Sequence, residues 1–92
     1  MIVSFINRKL QRFFKKGDTR GIDAKHVRAI RAILFNLDTA RKPQDMNIAG
    51  YDLHQLRGQY KGFWSVKVSG NWRVIFRFED ENAYDVDYLD YH

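Results

Sequence analysis

Seven side chains in the second half of the chain can move protons or bind phosphate: His54, Arg57, Lys61, Arg73, Asp90, Tyr91 and His92. An imidazole titrates at about 6.5 when unperturbed, so it can act as general base or general acid. Arginine cannot give up its proton, but its planar fork fits phosphate oxygens. A tyrosine can stack on a nucleobase or donate a hydrogen bond. The run "DYLDYH" (87–92) closes on a carboxylate, a phenol and an imidazole. Such groups suit one reaction that calls on no metal or cofactor. RNA can be cut by its own 2′-hydroxyl attacking the adjacent phosphate. That needs a base for the hydroxyl, an acid for the leaving 5′-oxygen, and positive charge on the transition state.

Other chemistries lack their residues. There is no cysteine, which removes disulfides, thiolate catalysis and cysteine-based zinc sites. The histidines are His26, His54 and His92, with no two at ligand spacing. Ser4, Ser65 and Ser69 lie in no nucleophile elbow, and there is no Walker A lysine or Gly-rich dinucleotide loop.

Each residue also has a plain structural reading. A single histidine near a strand end is more often structural than catalytic. Arg73 beside Trp72 can simply snorkel or lie over an aromatic face, and Asp90 can pair with an arginine. His26 is expected on the polar side of a helix.

The residues must be placed by their elements. "MIVSF" (1–5) is a short apolar run with first-strand character. Asn7 caps a helix through Leu10, Phe13 and Phe14, which Gly17 ends. Asp23 caps a second helix, with Val27, Ile30, Leu34 and Leu37 on one face and Lys25, Arg28 and Arg31 off it. Beyond Pro43 the pattern changes to period two. Residues 51–54 are short and extended. Trp64, Val66 and Val68 alternate with Ser65 and Lys67; after Ser69-Gly70-Asn71 come Trp72, Val74 and Phe76 with Arg73, Ile75 and Arg77. Tyr84, Val86 and Tyr88 then alternate with Asp85 and Asp87.

This reads as an α+β fold, with two N-terminal helices on one face of an antiparallel-rich sheet of three or four strands. If 68 faces 72 across the turn, the even-numbered residues of both strands share the core face. Lys67, Arg73, Arg77, Asp85 and Asp87 then share a face open to water or a ligand. If the last strand runs antiparallel to its predecessor, His92 returns beside Arg73.

Composition sets the frame. The 92 residues read as one domain over 1–92, with an apolar fraction of 45% that supports a folded core. No apolar run reaches the roughly 20 residues a membrane helix needs. The net charge of +5 is uneven: residues 1–45 carry +7 and residues 46–92 carry −2. A basic half of this kind suits a polyanionic partner, nucleic acid above all. The absence of cysteine fits a cytoplasmic setting.

The long segment "LHQLRGQYKGFWSVKVSGNWRVIFRF" (53–78), followed by "DYLDYH", closely resembles the HigB toxins of the RelE superfamily. The likeness extends to "SF" (4–5), "GIDAKH" (21–26), "LDTA" (37–40) and "DM" (45–46), so it spans nearly the whole chain. It implies a RelE-like, microbial-RNase-like fold with a concave active face. It implies a toxin of a type II toxin–antitoxin system, a ribosome-dependent endoribonuclease that cleaves mRNA in the A site. It also implies a HigA-like helix-turn-helix antitoxin, with operator DNA bound only through the toxin–antitoxin complex. The family's site residues correspond here to His54, Arg57 and Arg73, completed by Asp90, Tyr91 and His92. A family member carries lysine where this chain has Arg57. Arg57 is therefore expected to bind phosphate, with Lys61 nearby, and to leave proton transfer to the histidines.

Two rival functions share these features. One is a non-catalytic module that binds RNA or the ribosome. The other is a degenerate toxin that only binds an antitoxin.

Overall fold

The computed structural model describes residues 1–91. Two helices, α1 (Arg8–Lys16) and α2 (Val27–Thr39), precede four strands: β1 (His54–Gln55), β2 (Trp64–Ser69), β3 (Trp72–Glu79) and β4 (Asn82–Asp90). The strands form one antiparallel sheet in chain order, and the helices cover one face of it. This is the expected α+β arrangement.

Local chemistry explains the helix ends. The Asn7 side chain accepts the Leu10 N–H at 3.0 Å and so caps α1. Gly17 ends α1 in the left-handed conformation, its N–H bonding to the Phe13 carbonyl. Asp23 caps a 3-10 turn, Ala24–His26, rather than α2 itself. That turn rotates His26 inward. His26 is buried, not on the polar side of a helix, and its Nδ1 lies 2.6 Å from the Tyr88 hydroxyl. A hydrogen bond there satisfies both groups in a place where an unpaired one would cost about 1–3 kcal/mol.

The core joins Leu10 and Phe13 of α1 with Ile30, Ile33, Leu34 and Leu37 of α2. Against them stand Val66, Val74, Phe76, Ala83, Val86 and Tyr88 of the sheet. Each large apolar side chain so buried contributes about 1.5–3 kcal/mol. The β2–β3 register is the expected one from Trp64↔Phe76 to Lys67↔Arg73, then shifts before Ser69↔Trp72.

Two further expectations need correction. Tyr84 does not share a face with Val86 and Tyr88. The β3–β4 ladder shifts between Ile75 and Arg77, and Asp85 has a left-handed φ of 55°. This bulge resets the alternation, so Ala83 takes the core position and Tyr84 pairs with Arg77. The second face is also less open than parity implied. Ser65 and Ile75 are fully buried on it, because the β1–β2 connection folds back over that face. The run "MIVSF" pairs parallel with β4 only through the isolated bridges Ile2↔Ala83 and Phe5↔Val86.

Candidate active site

β1 is two residues long, yet it fixes the site. His54 pairs with Ser65 and Gln55 with Trp64, so β1 becomes the sheet edge beside β2. The approach to β1 is a sharp turn, with Gly50 at φ 89° and Asp52 at φ 48°. Only glycine and, at some cost, aspartate or asparagine adopt that region readily. The Tyr51 carbonyl accepts the Lys67 N–H at 2.7 Å and anchors the turn to β2.

The β1–β2 connection closes with the Leu56 N–H bonded to the Phe63 carbonyl at 2.9 Å. Inside it, a 3-10 turn, Gly58–Tyr60, exposes Arg57 and buries Leu56. The connection lies across the second face of the sheet. The Arg77 guanidinium sits 5.9 Å from the centre of the Phe63 ring, and the Tyr60 ring meets Tyr91 edge-on at 5.8 Å.

Between this connection and the sheet runs a groove of about 380 Å³, lined by His54, Gln55, Leu56, Arg57, Ser65, Arg73 and Tyr91. Hairpin geometry thus brings together residues 54, 57, 73 and 91, which are far apart in the chain. The Tyr91 N–H bonds to the Asn71 carbonyl at 2.8 Å, holding the end of β4 beside the start of β3. A second hollow of about 290 Å³ adjoins it, lined by Gln55, Leu56, Arg57, Gly58, Lys61 and Gly62. Arg57 borders both, with Lys61 in the second.

Arg73 is the most enclosed cation of the groove, with a side chain 20% exposed. Its NH1 is buried and makes no hydrogen bond. The rest of the guanidinium lines the groove, where its N–H fork suits an anion. Asp52, which sequence reasoning passed over, is the acidic neighbour. One of its oxygens is 3.7 Å from Arg73 NH1, the other 3.4 Å from His54 Nδ1. The Asp52 carbonyl lies 2.9 Å from the same Nδ1. A carbonyl only accepts, so Nδ1 carries a hydrogen, and in the neutral ring Nε2 is then the nitrogen with the free lone pair. The one sequence signal for Asp52 is its place two residues before His54, after a glycine turn.

Asp90 falls elsewhere. It pairs with Trp72, and strand parity puts it on the helical side, outside the groove lining. His92 and its expected approach to Arg73 lie outside the described residues. Among the described residues, no three of His, Asp and Glu gather where a metal ion could be held.

A further hollow of about 310 Å³ lies between the helices, lined by Phe13, Phe14, Gly17, Arg31, Leu34, Phe35 and Asp38. It is mainly apolar. Its one carboxylate accepts the Ile2 N–H at 2.9 Å, and no imidazole faces it. Phosphoryl chemistry therefore points to the groove under the β1–β2 connection.

The comparison with known proteins agrees with this fold. The family described as the RelE-like toxin of the type II toxin–antitoxin system HigB matches residues 3–92. The chain belongs to the HigB-like toxin family. It is also similar to the endoribonuclease HigB of Proteus vulgaris, at 41% identity over 92 residues, which cover all of both chains. In this HigB-like toxin no helix among the described residues is long and apolar enough to cross a membrane.

Proposed function

We propose that this HigB-like toxin is an endoribonuclease that cuts mRNA on the ribosome, with the groove of His54, Arg57, Arg73 and Tyr91 as its active site. The carrying observation is the convergence of an imidazole and two guanidiniums in one groove.

The steps follow from the side chains. The scissile phosphate binds at Arg73, and Arg57 takes the next phosphate along toward Lys61. His54 Nε2 faces the 2′-hydroxyl and removes its proton. The 2′-oxygen attacks phosphorus and the bond to the 5′-oxygen breaks, leaving a 2′,3′-cyclic phosphate and a 5′-hydroxyl. His92 gives the leaving 5′-oxygen its proton, and Asp90 belongs to the tail that carries it. Arg73 stabilises the charge that grows on the phosphoryl oxygens. Tyr91 stacks on a base beside the cut. The exposed lysines and arginines of α1 and α2 meet ribosomal RNA backbone through charge. A type II antitoxin of HigA-like, helix-turn-helix type holds the toxin in check in the cytoplasm, and operator DNA is met only through that complex.

The test maps 5′ ends of mRNA after induction, then digests RNA with and without ribosomes. New 5′ ends with wild type and none with Arg73→Ala support the reading. Translation arrest without new ends would leave a binding module instead. Equal digestion rates without ribosomes would remove the ribosome from the proposal.

A further inference from the structure

We propose that Asp52 is the positioning residue of this site, acting on His54 and Arg73 at once; the inference rests on the endoribonuclease reading above. Two parts of one residue carry it. The backbone of Asp52, at φ 48°, turns its carbonyl onto His54 Nδ1 at 2.9 Å. This contact selects the ring form whose Nε2 is free to take a proton. The carboxylate does something different. It stands 3.4 Å from Nδ1, beside the positive charge His54 acquires on taking the 2′-hydroxyl proton.

The second carboxylate oxygen holds Arg73 by charge alone. At 3.7 Å it is too far for a hydrogen bond, so it steadies the buried NH1 and leaves the part of the guanidinium that lines the groove to a phosphoryl oxygen. Asp52 thus fixes the guanidinium without occupying the donor that binds substrate. A carboxylate beside a phosphate groove should also repel RNA. That gives the proposal a signature that a structural or binding residue lacks: removing the charge should slow chemistry without weakening RNA binding.

Asp52→Asn keeps the shape and tolerates the left-handed backbone; Asp52→Gly also frees the carbonyl. Single-turnover cleavage of ribosome-bound mRNA is measured beside the affinity for the same mRNA made 2′-deoxy at the cut. The ring form of His54 is read from imidazole 15N shifts. The expected result for Asp52→Asn is a cleavage rate at least tenfold lower, affinity equal or tighter, and Nδ1–H still dominant. Asp52→Gly should cleave more slowly again and mix the two ring forms. Wild-type cleavage by Asp52→Asn, or a loss that follows weaker RNA affinity, overturns the role of Asp52. His54→Ala serves as the control. If it also cleaves at the wild-type rate, the reading of His54 falls as well, which separates the two failures.

Discussion

Trp72 and Arg73 are consecutive in β3, yet they serve opposite faces of the sheet. The Trp72 ring packs on Tyr88 at 4.8 Å and on His26 at 5.7 Å, on the helical side. Arg73 lines the groove on the other side. Substitution should separate stability from activity at two adjacent positions. Trp72→Ala should cost about 3 kcal/mol, the low end for a large aromatic, because the ring is only half buried. Arg73→Ala should leave the melting temperature within a few degrees and abolish cleavage. Thermal unfolding alongside growth arrest reads both, and a strongly destabilised Arg73→Ala would contradict the assignment.

Arg57 is exposed and borders both hollows, so it should act on binding, not on proton transfer. Arg57→Ala should raise KM by roughly ten- to a hundredfold, as for one charge-assisted hydrogen bond, with kcat nearly unchanged. The slope of log affinity against log salt should fall by about one. Arg57→Lys should keep most of the affinity as a point charge. A pure kcat defect in Arg57→Ala would move this residue into the proton-transfer machinery.

Burial pushes the Tyr88 phenol above its ordinary value, in a pocket it shares with His26 and near Asp23. The native state therefore favours the neutral phenol. Its contribution to stability is full below about pH 10, the ordinary phenol value, and is lost as pH rises through the folded value. Melting curves from pH 8 to 11 should fall more steeply for wild type than for Tyr88→Phe. Parallel curves would mean that the phenol adds nothing to alkaline sensitivity.

The bulge in β4 rests on Asp85. Arg77 donates to one Asp85 oxygen through Nε at 2.9 Å and NH2 at 2.8 Å, and the Asp85 N–H bonds to the Ser4 hydroxyl at 2.9 Å. Asp85→Ala loses the ion pair and places alanine in the left-handed region, at a combined cost of about 2 kcal/mol. Asp85→Gly loses the pair but not the backbone fit, so it should be the milder change. Urea unfolding of both variants checks this order, and the reverse order would refute the strain argument.

Much of the site was legible because strand alternation and turn chemistry act locally. Asn7, Gly17 and the 64–76 register each follow from a few neighbouring residues. From these, antiparallel pairing alone brings Arg73 and Tyr91 to one groove. What escaped depends on backbone changes of one residue. The left-handed Asp85 flips Tyr84 to the other face, and alternation cannot show where an extra residue enters a strand. The 3-10 turn at Ala24–His26 buries a histidine that helical periodicity assigns to water. Asp52 was missed because its value lies in a turn: a carboxylate at residue 52 meets residue 73 only once β1 has docked on β2.

The bridges from Ile2 to Ala83 and from Phe5 to Val86 join segments about eighty positions apart. Closing so long a loop is slow, because its entropy is lost before any contact repays it. The helices can form early from neighbouring residues, whereas the groove must await β3 and β4. A product of interrupted translation that stops before Trp72 would therefore carry both basic helices and lack Arg73 and Tyr91. Such a fragment has the charge to approach RNA and none of the means to cut it.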